Sequence, residues 1–176
     1  MYIDNCAGED NIKCDERIND ATFAELKFML LKSIGIASSD CDWIKVKKDG
    51  KEEKVLEDNE RDKISKALFE EPYKELEFKI IQARVYEDTL DGWALTDYGF
   101  HFKSNNEDGF CIPYKQISKL TDDGKHIDDS GVIFINSKER ISYEKMITNE
   151  QDRNVIIKLL MDIRNMKIEY KSKKTL

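Results

Sequence analysis

Apolar residues recur along this chain at two different spacings, and the changes between them mark three stretches. From Phe23 the spacing is helical: Phe23, Leu26, Leu30 and Ile34 share one face, with Phe28 and Leu31 beside it. Thr22 and Glu25 stand at the spacing of a reciprocal helix cap, and Gly35 supplies the stop. Trp43-Ile44-Lys45-Val46-Lys47 then alternates. Lys48-Asp49-Gly50-Lys51 offers an Asp-Gly turn, so Glu52 to Leu56 is expected to return as a second strand. A short helix from about Asn59 to Phe69 turns Ile64, Ala67 and Leu68 inward, and Pro72 ends it.

From about residue 76 to 145 the period becomes two, in short runs. Glu77 to Tyr86 reads as extended. Phe78 and Ile80 lie on one parity, and Ile81, Ala83 and Val85 on the other, which predicts a bulge or a strand buried on both faces. Asp91-Gly92 makes a turn. Trp93 and Leu95 follow on one face, and Tyr98-Gly99 breaks the run. Phe100 and Phe102 are expected inside, His101 and Lys103 outside. Phe110 and Ile112 resume the alternation on the other side of a polar turn, and Pro113 marks an edge or a strand end. Val132 to Ile135 and Arg140 to Tyr143 form a hairpin around Asn136-Ser137-Lys138.

The last stretch is helical again. Thr148 and Gln151 repeat the capping spacing. Val155, Ile156, Leu159, Leu160, Ile163 and Met166 then form a stripe that needs a partner surface, which the strands provide. The elements predict an α+β protein: a helical segment with a small hairpin over 1–74, and strands closed by a long C-terminal helix over 75–176.

Strands followed by one long helix is the order of a pleckstrin-homology-like (PH-like) barrel. Asp91-Gly92-Trp93-Ala94-Leu95-Thr96-Asp97-Tyr98-Gly99-Phe100-His101-Phe102 resembles the central hairpin of bacterial PH-like domains. Cys111-Ile112-Pro113-Tyr114-Lys115-Gln116-Ile117 is similar to the strand that follows it there. The resemblance covers residues 78–168 at most. It implies an antiparallel barrel or sandwich, and binding rather than catalysis. Lipid-binding members carry Lys and Arg in the loop between the first two strands. Here that loop, Tyr86-Glu87-Asp88-Thr89-Leu90-Asp91-Gly92, is acidic and would repel an anionic headgroup.

Composition narrows the partners. The chain has 176 residues, with 29 Lys+Arg against 36 Asp+Glu and a formal charge of -7. That length buries one sizeable core and falls short of the roughly 250 residues of a TIM barrel. The basic residues cluster only at Lys167, Lys171, Lys173 and Lys174, which read as a solvated tail and not as a nucleic-acid surface. No run of about 18 apolar residues is present, so no membrane span is expected. Met1-Tyr2-Ile3-Asp4-Asn5 lacks the basic start and apolar core of a signal peptide, so the expected compartment is the cytoplasm. Acidic chains suit basic partners, because complementary fields speed encounter.

Few residues offer chemistry. Cys6, Cys14, Cys41 and Cys111 form no C-x-x-C pair, and His101 and His126 are too few to complete a zinc site; the cysteines read as reduced thiols. Alternation places Cys111 and His101 on one face of neighbouring strands, which makes them candidates for a nucleophile and its base. Asp122, Asp123, Asp128 and Asp129 bracket Gly124-Lys125-His126. Carboxylates so grouped can hold Ca²⁺ or Mg²⁺, but the spacing is not that of an EF-hand loop, and a solvated acidic loop is the plainer reading. No phosphate-binding glycine motif is present.

The sequence therefore predicts a non-catalytic cytoplasmic protein that binds a basic protein, with no cofactor and no metal. An immunity-type inhibitor that neutralises a basic toxin domain is one concrete form. Asp122, Asp123, Asp128, Asp129, Glu87, Asp88 and Asp91 are the candidate contact residues. The alternatives are a small hydrolase or metal-binding enzyme using Cys111 and His101 or the Asp122–Asp129 loop, and a membrane-surface adaptor.

Overall fold

The hairpin around Gly50 and the four strands between Ile80 and Pro113 join one six-stranded sheet in the computed structural model. Residues 2–3, 17–34, 42–68, 78–87, 92–103, 110–117, 126–127, 132–135, 139–142, 150–171 and 174–175 are described. The elements are β1 (Tyr2–Ile3), α1 (Asp20–Ile34), β2 (Trp43–Val46), β3 (Glu52–Lys54), α2 (Asp58–Leu68), β4 (Ile80–Tyr86), β5 (Gly92–Thr96), β6 (Gly99–Lys103) and β7 (Phe110–Pro113). There follow α3 (Tyr114–Ile117), β8 (His126–Ile127), β9 (Val132–Ile135), β10 (Glu139–Ser142), α4 (Glu150–Asn165) and β11 (Lys174–Thr175). The six-stranded sheet has the order β3-β2-β4-β5-β6-β7, strands β8, β9 and β10 form a second sheet in the order β10-β9-β8, and β1 pairs with β11.

The architecture is α+β, and the main sheet is mixed, not wholly antiparallel. The expected hairpin forms, with Gly50 at φ 85°, a conformation that only glycine adopts without strain. Its first strand, β2, runs parallel to β4, so that Trp43 pairs with Ala83 and Val46 with Tyr86. From β4 to β7 every neighbour is antiparallel. The parity switch in β4 is resolved in both ways at once. The register shifts between Ile80 and Gln82, and the strand is buried on both faces from Ile81 to Tyr86.

One face of the sheet meets α1 and α4. Phe23, Leu26 and Leu30 of α1 and Ile156, Leu159, Leu160 and Ile163 of α4 pack with Ile44, Val46, Trp93, Leu95, Phe100 and Phe102. These residues come from both sides of residue 75, so a single apolar cluster spans the chain. Burial of each such side chain is worth roughly 1.5–3 kcal/mol. The other face meets α2: Leu68 packs on Ala83 and Ala94, and Ile64 on Val55 and Val85. Trp93 is fully buried and its Nε1–H donates to Tyr86 Oη at 3.2 Å, so it is a core residue.

Three expectations are corrected. The cap of α1 is Asn19, whose Oδ1 accepts the Thr22 N–H at 2.9 Å and whose carbonyl accepts the Phe23 N–H at 2.9 Å. The Thr22 hydroxyl is used elsewhere, accepting the Glu169 N–H at 3.1 Å. The C-terminal helix is shorter than expected: it has 16 residues, ends at Asn165, and leaves Met166 beyond it. The chain after it is captured in extended form. Ile18 bridges Tyr170, the Asn19 N–H donates to the Glu169 carbonyl at 2.9 Å, and the Lys171 N–H donates to the Arg17 carbonyl at 2.8 Å. Lastly, His101 is 1% exposed, not outward, because the face it occupies is itself covered. The proposed caps at Thr148 and Gln151, the Pro72 stop and the side chains of Ile34 and Ala67 lie outside what is described.

Candidate functional site

The residues that carry chemistry converge on the turn between β5 and β6. Gly99 is required there: a Cβ would stand 2.3 Å from the Ile112 carbonyl oxygen on β7. Thr96 closes the turn locally. Its Oγ1 accepts the N–H groups of Tyr98 at 3.1 Å and Gly99 at 3.2 Å. Asp97 is 3% exposed and is fixed from several directions. Its backbone N–H donates to the Lys79 carbonyl, and its own carbonyl accepts the Ile18 N–H. Its carboxylate accepts the Lys79 N–H at 3.2 Å and holds Arg17 Nη1 at 3.0 and 3.1 Å. Arg17 in turn stacks over Phe78, 5.3 Å from the ring centroid.

Tyr114 seals the far side. Its hydroxyl donates to the Thr96 carbonyl at 2.6 Å, and its N–H donates to the Tyr98 carbonyl at 3.1 Å. Burial, aided by the charge of Asp97, pushes its pKa well above the usual tyrosine value. The turn thus ties residues 17–18, 79 and 114 to one point.

His101 and Cys111 lie directly opposite each other on β6 and β7, as their parity predicts. His101 Nε2 is 2.9 Å from Thr96 Oγ1 and 3.8 Å from Cys111 Sγ. The Thr96 hydroxyl has one proton to give and already accepts two N–H groups. That proton has two acceptors within reach, His101 Nε2 and the Gly99 carbonyl at 3.3 Å, and the ring tautomer follows from which of them takes it. Phe78 and Tyr98 cover the ring, with centroids 4.9 and 6.4 Å from it. Burial alone lowers the His101 pKa from 6.5 to about 3. A nucleophilic cysteine needs substrate access and a base that can hold its proton. Here the thiol is 2% exposed, and its neighbour resists protonation. The chemistry this arrangement supports is packing and hydrogen bonding that rigidify the β5–β6–β7 corner.

Of the acidic candidates, Glu87 alone lies among the described residues. It is exposed at the end of β4, and its N–H donates to the Val46 carbonyl at 2.9 Å. Its charge is a minor contributor to the raised pKa of Lys45, whose main cause is the hydrogen bond to Glu60. Asp88, Asp91, Asp122, Asp123, Asp128 and Asp129 lie outside the described residues. Among those described, no group of three or more His, Cys, Asp and Glu side chains could hold a metal ion. No described helix is long and apolar enough to cross a membrane.

Two large apolar side chains stand out of the described surface, Phe28 at 65% and Leu56 at 69% exposure. Leu56 joins β3 to α2. Between residues 52 and 58 the chain carries four carboxylates and one ammonium. Glu52 turns to Arg84 at 2.9 Å and Glu53 to Lys47 at 3.3 Å; Glu57 and the fully exposed Asp58, which lies 3.9 Å from Arg61, flank Leu56. Among the described strands, β3 is an edge of its sheet. The bonds from Val55 N–H to the Trp43 carbonyl and from Lys47 N–H to the Lys51 carbonyl point inward. By antiparallel alternation, the N–H and C=O groups of Glu52 and Lys54 face the outer edge. Neither Arg17 nor Leu56 stood out in the sequence. The one available hint to Arg17 was Asp97, an acid inside an otherwise apolar hairpin.

Comparison with known proteins returned nothing: no protein-family model, curated protein or solved structure matches this chain.

Proposed function

We propose that this protein is a non-catalytic binder of a basic protein, with an immunity-type inhibitor of a basic toxin domain as its concrete form. The observation that carries the reading is Leu56, an exposed apolar side chain with Glu57 and Asp58 beside it at the end of an edge strand. An edge strand offers backbone hydrogen bonds to an extended segment of a partner. An apolar anchor among carboxylates favours a partner whose contacting segment is apolar at its centre and basic around it. The buried Thr96, Asp97, His101 and Cys111 support this reading indirectly, because their polar groups are turned to internal structure. The PH-like resemblance belongs to the same proposal. It is supported by the antiparallel run β4 to β7 and the helix α4 packed on it, with the β2–β3 hairpin, whose β2 runs parallel to β4, an addition to that pattern.

Affinity capture from an extract of the source cell tests it, with wild-type protein beside a Glu57→Lys/Asp58→Lys variant and Leu56→Ala. The wild type is expected to retain a stoichiometric basic polypeptide with a Kd below about 1 µM, roughly -8 kcal/mol. Each variant is expected to weaken that binding at least about tenfold, or about 1.4 kcal/mol. The proposal is overturned if no polypeptide binds more tightly than micromolar, or if the retained one is indifferent to all three substitutions.

A further inference from the structure

The outward side of α1 is not polar. Ala21, Ala24 and Phe28 are exposed and Leu31 is half-buried. They follow one another at the alternating three- and four-residue spacing of a helix-pairing seam, on the side away from Phe23, Leu26 and Leu30, which enter the core. Scattered exposed apolar residues are ordinary. Phe28 and Leu31 are different, because they stand one turn apart and a second helix laid along them removes both from water at once.

The charges beside the stripe divide by sign along the helix. Asp20 and Glu25 belong to its N-terminal half, Lys27 and Lys32 to its C-terminal half. Asp20 reaches Lys79 at 3.4 Å and Lys27 reaches Asp42 at 3.0 Å, while Glu25 and Lys32 are exposed on one flank of the stripe. Such a face is complementary to itself only when turned end for end. A parallel pairing would set Asp20 against Glu25 of the second helix, and Lys27 against Lys32, like charge to like on both flanks.

We propose that α1 of a second copy of this chain covers this face in antiparallel orientation. With Phe28 of one copy against Leu31 of the other, Glu25 stands next to Lys32 of the second copy. The two-fold symmetry repeats the contact. In this register the two helices overlap from about Glu25 to Ile34, with Phe28 and Leu31 at the centre of the contact. One helix face is a small interface, so the dimer is expected to be weak, with a Kd on the order of tens of micromolar. The proposal uses a different element from the Leu56 surface and stands or falls apart from it.

Sedimentation equilibrium from about 5 to about 500 µM spans that range. The apparent mass is expected to rise from 20.6 kDa towards twice that value. Phe28→Asp is expected to hold it at the monomer. Glu25→Lys sets Lys against Lys and is expected to weaken dimerisation about tenfold, while Glu25→Lys combined with Lys32→Glu restores it. All these positions are exposed, and far-ultraviolet circular dichroism checks that each variant is folded. A mass that stays at 20.6 kDa throughout overturns the proposal. So does a dimer indifferent to Phe28→Asp, or a double variant as weak as Glu25→Lys alone.

Discussion

His101 makes the stability of this protein depend on pH between about 7 and 5, where few other groups titrate. The ring is held neutral by burial, with a pKa near 3 in the fold against 6.5 in an unfolded chain. Above pH 6.5 both states are neutral and His101 has no effect on the balance. Below it the unfolded chain takes up a proton that the folded one refuses, so stability falls with pH until about pH 3, where the fold also binds it. At about 1.4 kcal/mol per pH unit, the loss between pH 7 and pH 5 is roughly 2 kcal/mol. That is a large share of a typical 5–15 kcal/mol stability. Urea unfolding at pH 7, 6 and 5, followed by the fluorescence of the buried Trp93, measures it. In a His101→Gln variant the slope across this window is expected to shrink by that amount. Because slopes are compared, a general destabilisation by the substitution does not obscure the result. Equal slopes in the two proteins would refute the reasoning, whatever their absolute stabilities.

Two further outcomes follow from the same corner of the sheet. Asp97→Asn leaves the Arg17 guanidinium buried beside a neutral partner and is expected to cost about 3–5 kcal/mol in urea unfolding. An Arg17→Met/Asp97→Leu double variant should lose less, and a single-variant loss below about 1 kcal/mol would show that the ion pair is dispensable. Iodoacetamide at neutral pH is expected to label Cys111 only as fast as the β6–β7 pairing opens, so mass spectrometry of that peptide should show slow labelling that urea accelerates. Rapid labelling of the native protein would instead indicate an accessible, activated thiol and revive the nucleophile reading.

Much of the fold is legible in the chain because local periodicity records which side of a segment meets the core. The Phe23, Leu26 and Leu30 stripe, the Asp-Gly hairpin, the Ile64 and Leu68 pair, the Trp93 and Phe100 strands and the Ile156 to Ile163 stripe all sit where their spacing puts them. So does the pairing of His101 with Cys111, since both the parity and the hairpin are local. The acidic candidate surface is a different matter. Its Asp residues are legible as charge, but charge alone does not say what they face, and of that set only Glu87 is described.

What the sequence alone determined, then, is the type and apolar side of the longer elements, through spacing and turn chemistry that act within a few residues. What only the tertiary structure decided is which element meets which. Thr22 has the spacing of a cap, yet its hydroxyl goes to Glu169, 147 residues away, and Asn19 caps in its place. His101 alternates as if exposed, yet Phe78 and Tyr98 close over it. Strand β2 lies parallel to β4, and Arg17 finds Asp97 across 80 residues. The physical reason is the same in each case. A backbone edge, a hydroxyl or a guanidinium gains its free energy from whichever partner the packed chain brings within about 3 Å. No period along the sequence encodes that meeting.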